Sequence, residues 1–259
     1  MKKILSACVL ALVAAGFCAA QTILTAAAFF QTVSEEYGKM QDYEASLDIK
    51  AAKLSMEGRV SFKRPDLLRI DFSNPEEQVI VFNGDQLTIY LPGSDAVLNQ
   101  SVQNSASTPG ANMATPQGLS LMSRYYSVAY ETGQEPVPLE EGSDEMVIRL
   151  VLSRRNTTEA FRFIKLSVLP DKKLIRRVEA VTPQGETFQF DFTNYVINQG
   201  ISDQRFIYDA PSSANNRLNS FNLGYIMHSH LSCLDKSSPS LPTTSPSHFL
   251  ILGSFTLSL

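Results

Sequence analysis

GRVSFKRPDLLRIDFSNPEEQVIVFNGDQLTIYLP, Gly58 to Pro92, is the stretch whose reading decides the fold. In an extended chain Val60 and Phe62 fall on one face while Arg59, Ser61 and Lys63 fall on the other, and Leu68, Ile70 and Phe72 repeat the period of two. One side of the sheet is expected to be apolar and the other wet. Arg64-Pro65 breaks the first strand, Ser73-Asn74-Pro75 ends the second, and Asn83-Gly84-Asp85 forms a tight hairpin turn. The segment therefore reads as an antiparallel meander.

Upstream of it, Ala28, Phe29, Phe30, Val33 and Tyr37 stand near helical spacing, which predicts an amphipathic helix over Thr25 to Lys39, ending around Gly38. Strands are predicted over 43–54, 56–62, 68–72, 79–82 and 87–91, and again over 126–132, 146–152, 160–169, 175–182 and 186–192. Between the two groups, Ser101 to Gly118 is polar and aperiodic and reads as a long loop. Thr115-Pro116 supplies a cap and a first-turn proline for a short helix through Leu119, Met122 and Tyr125. About ten closely spaced strands with two or three short helices predict a mainly β fold, a barrel or strongly curved antiparallel sheet whose open mouth the helices cover.

Lys2-Lys3 precedes an apolar run from Ile4 to about Ala20, and no acidic residue appears before Glu35. This is the form of a secretory signal, with cleavage expected after Ala20 and export to the periplasm. Leu5-Ser6-Ala7-Cys8 has the form of a lipid-attachment sequence, but the apolar run follows Cys8 instead of preceding it, so a soluble exported protein is the expectation. Loss of Lys2 and Lys3 moves the formal charge from −4 to −6, which argues against a nucleic-acid partner. Cys233 is then the only cysteine left, and no internal disulfide can form.

Beyond Asn216 the composition changes. His228, His230 and His248, which are all the histidines of the chain, lie there with Cys233, and about a quarter of the residues are serine. Arg217 to Leu259 is expected to be a disordered tail, either frameshifted or a Ser/Pro-rich extension, leaving 21–216 as one domain.

A search for chemistry in that body finds no histidine, no cysteine and no Gly-rich phosphate loop, so no enzyme, metal site or cofactor is expected. Glu35-Glu36, Glu76-Glu77 and Glu140-Glu141 read as solvated surface. Arg154-Arg155, Lys172-Lys173 and Arg176-Arg177 read as the wet side of the sheet, with a docking patch as the alternative. Asn156-Thr157-Thr158 matches a glycosylation acceptor and carries little weight by itself. What remains is the apolar face, drawn from fifteen Phe, nine Tyr and no Trp together with the aliphatic strand positions. From the residues alone that face is core.

The order of these features resembles the outer-membrane lipoprotein carrier (LolA) family. The resemblance is carried by a glycine-led strand, Arg64-Pro65-Asp66-Leu67-Leu68-Arg69, a proline-bounded turn, a hydrophobic strand, Asn83-Gly84 and a strand closing on Tyr90-Leu91-Pro92. A second block, FQFDFTNYVINQGISDQRFIYDAP from Phe188 to Pro211, resembles the closing pattern of that family, and the two together span roughly Thr25 to Asn216. The resemblance implies an incomplete, half-open barrel with a helical lid over a hydrophobic cavity that shields the acyl chains of lipoproteins. Phe29, Phe30, Val33, Tyr37, Val60, Phe62, Leu68, Ile70, Phe72 and Ile89 would be its wall. It also implies that Arg64 latches the lid by bonds to backbone carbonyls. Tyr37 stands where the family often carries a leucine, a departure that adds a hydroxyl. The implied partners are acylated lipoproteins, an inner-membrane release complex, an outer-membrane acceptor and a transient membrane contact, with the carrier a monomer. Lipid- or lipoprotein-sensing regulators that share the fold and bind a signalling protein are the alternative.

Overall fold

Thr25 starts the first helix because its hydroxyl accepts the Ala28 N–H at 3.2 Å, satisfying an amide that the helix cannot. Helix α1 runs Ala26–Lys39 and buries Phe29, Phe30, Val33 and Tyr37 along one stripe. The computed structural model describes residues 24–51, 54–101 and 116–218. The expected signal segment, most of the 101–118 loop and the tail beyond Leu218 lie outside the described residues.

The meander follows. Strands β1 (Asp42–Ala51), β2 (Leu54–Lys63), β3 (Leu67–Asn74), β4 (Val79–Asn83), β5 (Gln86–Leu91) and β6 (Ala96–Ser101) pair in chain order, each antiparallel to the last. The expected 43–54 strand ends at Ala51, and Leu54, paired to it, already belongs to β2, the expected 56–62 strand. The β4–β5 turn is closed as its Asn-Gly predicts: Asn83 Oδ1 accepts the N–H groups of Asp85 and Gln86 at 3.1 and 2.9 Å, and Gly84 takes φ +96°.

Helix α2 (Pro116–Tyr125) runs directly into β7 (Tyr126–Tyr130). Then come β8 (Val137–Pro138), β9 (Met146–Arg154), β10 (Phe163–Val168), β11 (Ile175–Val181), β12 (Thr187–Ile197) and β13 (Asn215–Leu218). One sheet takes all of them in the order β13-β6-β5-β4-β3-β2-β1-β12-β11-β10-β9-β7, with β8 beside β9. β13 lies parallel to β6, and all other pairs are antiparallel. Strands β6, β8 and β13 were not legible in the sequence. β13 carries the sheet two residues past the expected domain end at Asn216.

Curvature follows from contacts of α1. Phe29 meets Tyr130 of β7 with ring centres 6.3 Å apart, and Tyr37 meets Tyr43 of β1 at 6.1 Å. Those positions are eight residues apart on the helix, about 12 Å of rise. β7 and β1 are five strands apart in the sheet, about 24 Å if it were flat. One short helix touching strands that far apart is what a sheet curved round it allows. The sheet does not close on itself, since β13 and β7 end it on opposite sides. The fold is thus the expected incomplete barrel, with α1 across its concave face and α2 packed beside α1 and β7.

The outer face is not uniformly wet, which corrects the sequence reading. Ser61 is fully buried, and Val79, Val81, Tyr90 and Val97 form a second apolar cluster on the side opposite the main core. Residues 198–214 cover that side. Asp42 accepts the backbone N–H groups of Gln199, Gly200 and Ile201 at 2.8, 3.0 and 3.3 Å. Lys63 donates to the Ile201 carbonyl at 2.6 Å, and Arg69 donates to the carbonyls of Arg205 and Ile207. Tyr208 then stacks near Tyr90, with ring centres 5.9 Å apart.

Candidate functional site

The ten residues expected to line the concave face all fall in one continuous buried cluster: Phe29, Phe30, Val33 and Tyr37 from α1, Val60 and Phe62 from β2, Leu68, Ile70 and Phe72 from β3, and Ile89 from β5. Strand alternation explains the sheet's share, because every second side chain points to the same face. In the described state α1 rests on this face, and the ten are packed against one another and the remaining core. A cleft of about 380 Å³ lies elsewhere, on the outer face, where Val81 and Thr88 meet Phe206 and Tyr208.

Two sets of polar contacts fasten the C-terminal end of α1. Arg64 Nε donates to the Met40 carbonyl at 2.7 Å, and its backbone N–H donates to the Gln41 carbonyl at 2.9 Å. Met40 is the helix C-cap, so a guanidinium sits where the helix presents unpaired carbonyls and the negative end of its dipole. Arg64 Nη2 is 4.0 Å from the place a Cβ would occupy on Gly38, so the side chain lies along the last turn.

The second set was not anticipated. Tyr195 donates its hydroxyl proton to the Ile175 carbonyl at 2.8 Å, and the Ile175 N–H donates to the Tyr37 oxygen at 3.1 Å. With the Tyr195 proton used, the 3.1 Å contact between the two hydroxyls must be Tyr37 donating to Tyr195. A ring of three hydrogen bonds results, with every donor matched to an acceptor. It explains how the Tyr37 hydroxyl is accommodated in the core: it meets backbone and Tyr195, not bare hydrocarbon. Burial pushes the Tyr37 hydroxyl up to about 12 against the smaller downward pull of its Tyr195 and Ile175 bonds. Burial also raises Tyr195, and the nearby Tyr37 and Tyr43 add to that. Both are neutral at physiological pH. Tyr43 joins Phe62 and Tyr195 at 5.3 and 5.7 Å, making an aromatic seat for the helix end.

At the other end of α1, Tyr130 donates to the Leu24 carbonyl at 2.9 Å, and the Lys173 ammonium stands 5.0 Å from the centre of the Phe29 ring. The helix is therefore held at both ends by groups from β7, the β10–β11 turn, the turn after β2, β11 and β12.

The charged pairs of the sequence reading separate. Arg176 and Arg177 are not a wet edge: both bond Asp191 Oδ1, at 3.0 and 2.6 Å, and they also reach Glu145 and Glu140. Glu140 is held below the usual carboxylate range by its bond to Arg177. Adjacent strand residues can share a partner here because Ser167 pairs with Arg177 and Val168 with Ile175, leaving Arg176 as the extra residue of a bulge. Glu76 and Glu77 are exposed as expected. Among the described residues no group of three or more His, Cys, Asp or Glu could hold a metal ion, and no helix is long and apolar enough to cross a membrane.

Comparison with known proteins agrees with the resemblance. The family described as "Outer membrane lipoprotein carrier protein LolA" matches residues 25–209. The outer-membrane lipoprotein carrier protein of Pseudomonas aeruginosa (strain UCBPP-PA14) is 23% identical over 155 residues, covering 60% of this chain and 67% of that protein. That of Idiomarina loihiensis is 23% identical over 193 residues, covering 74% and 80%. Among solved structures, an uncharacterized conserved protein from Thermus thermophilus aligns with a TM-score of 0.48 at 14% identity, over 72% of this chain and 98% of that one. A chain of the Pseudomonas aeruginosa MucA/MucB complex aligns with a TM-score of 0.47 at 12% identity, over 71% and 61%.

Proposed function

This chain belongs to the outer-membrane lipoprotein carrier (LolA) family, and we propose that it is a periplasmic carrier, with residues 21–216 as its mature body, that shields the acyl chains of lipoproteins between α1 and the concave face and moves them from the inner to the outer membrane. The observation that carries the reading is the continuity of the apolar cluster from one face of α1 onto the alternate positions of β2, β3 and β5. Each methylene exposed to water costs about 0.8 kcal/mol, so an acylated N-terminus needs such a surface to cross an aqueous gap. Contacts of this kind are non-directional and impose no sequence on the cargo.

Since α1 rests on the face that would take the chains, loading requires the helix to lift. Arg64 at its C-cap is the latch in this reading, and the Tyr37–Tyr195–Ile175 ring is a second hold on the same end. A transient encounter with a release complex would trade these few polar bonds for acyl contacts, and an outer-membrane acceptor would reverse the exchange. No covalent step is involved.

Native mass spectrometry of the protein recovered from a periplasm that makes lipoproteins tests the reading. A 1:1 adduct with acylated protein is expected. A bare mass that persists after incubation with purified lipoprotein and its release machinery would contradict it and favour a regulator of the same fold.

A further inference from the structure

Six arginines among the described residues, Arg59, Arg69, Arg149, Arg176, Arg177 and Arg205, stand within 4.0 Å of a carboxylate. Arg64 is committed to the end of α1. Arg124, Arg154, Arg155 and Arg162 have neither role, and backbone pairing gathers them at one end of the sheet. Arg155 N–H donates to the Tyr125 carbonyl at 2.8 Å, next to Arg124 at the close of α2, and Arg154 N–H donates to the Arg162 carbonyl at 3.2 Å. The side-chain bonds found there go to carbonyls: Arg155 Nε to Tyr126 at 3.3 Å and Arg154 Nη1 to Thr157 at 3.4 Å. Arg124, Arg155 and Arg162 are exposed, and Arg154 is half-buried. Glu159 is the acid of the same loop; it makes no ion pair among the described residues, and burial raises its carboxyl. Among the described residues none of these four arginines makes an ion pair, although the chain as a whole is acidic.

We propose that this rim, Arg124, Arg154, Arg155 and Arg162, is a docking surface for an acidic segment of a partner protein. Planar guanidinium forks match carboxylates two bonds at a time, and all four cations here are arginine. Exposed Ser127, Ser153, Thr157 and Thr158 add hydroxyls that can bond a peptide backbone or carboxylate. A bilayer fits less well. The exposed large apolar side chains of the described residues are Leu24, Leu54, Met146, Val196 and Ile207, and none stands among these arginines. Interfacial binding needs apolar insertion beside the charge, and the net negative chain opposes an anionic surface. The inference is independent of the acyl-chain reading, since the rim does not include the ten wall residues.

The test uses the mature full chain with two probes, a fluorescein-labelled peptide of alternating Glu and Ser, and vesicles of phosphatidylglycerol and phosphatidylcholine. The variant Arg124→Glu/Arg155→Glu/Arg162→Glu is compared with Arg59→Glu, which removes an exposed arginine that already faces Glu44. Peptide affinity is expected to fall by about tenfold or more in the triple variant, to stay unchanged in Arg59→Glu, and to weaken with added salt. Should the charge-reversed protein unfold, the triple Arg→Gln substitution gives the same comparison. Equal binding by the two variants, vesicle binding in place of peptide binding, or no peptide binding by the unaltered protein would overturn the proposal.

Discussion

Arg64 and Tyr37 each hold the end of α1, but through different physics. Arg64 makes a charge-assisted bond to a helix-end carbonyl at the rim, where water can replace it, so Arg64→Leu should lower stability by only about 1–2 kcal/mol. Its larger expected effect is local: faster amide exchange in the last turn of α1 and altered cargo transfer, with the rest of the sheet unchanged. Exchange measured by mass spectrometry checks this. Tyr37 is buried, and Tyr37→Phe leaves the Ile175 N–H without its partner, an expected loss of about 1–3 kcal/mol. Tyr37→Phe and Tyr195→Phe should be non-additive in urea denaturation, because each breaks the same ring. The ring also sets a pH response. The Tyr37 hydroxyl is raised from 10.0 to about 12 in the folded protein, so its share of stability is complete below pH 10 and is lost as pH rises through about 12. Denaturation midpoints should fall over that window, and less steeply in the double Phe variant. The Arg-Pro motif made Arg64 visible in the sequence. The ring was not visible, because its three members are separated by 138 and 20 residues and meet only through the fold.

At the scale of elements, Gly58 stands inside β2, where the neighbouring strand comes too close for a side chain. A Cβ there would lie 2.5 Å from the Asp71 carbonyl oxygen, where the β2–β3 register shifts between Glu57 and Gly58. Gly58→Ala is expected to destabilise the protein by about 2 kcal/mol or more, read from a urea melt, since backbone has to move to admit the methyl group. The period of two located β2, β3 and β5 closely because alternate residues of each face the main core. It failed for Arg176-Arg177, where a bulge turns neighbours to one side, and for β13, which is four residues long. Val79–Asn83 carried its own signal: an unbroken Val-Ile-Val-Phe run is what a strand buried on both faces needs. The wet outer face was the misreading, and that run was the evidence against it.

The molecule as a whole is a sheet with an apolar cluster on each side, one beneath α1 and one beneath the 198–214 segment. The second cover was illegible because its sequence has no period, and what fixes it are side chains of distant strands, Asp42, Lys63 and Arg69. Asp42→Ala removes the acceptor of three backbone amides at once, and a loss of about 3 kcal/mol or more is expected, with early proteolysis near Gly200 as the marker. The Phe-x-Tyr-x-x-Pro ending, Phe206 to Pro211, has its reason here too: Phe206 is buried and Tyr208 packs against Tyr90. These two faces supply an internal control for the central claim. A photo-crosslinking residue placed at Phe62 or Ile89, beneath α1, is compared with one at Val81 or Val97, beneath the outer segment, in the presence of an acylated lipoprotein and its release machinery. Crosslinks to the acyl chains are expected from Phe62 and Ile89 and none from Val81 or Val97; crosslinks from the outer pair alone, or from neither pair, would contradict carriage of acyl chains beneath α1.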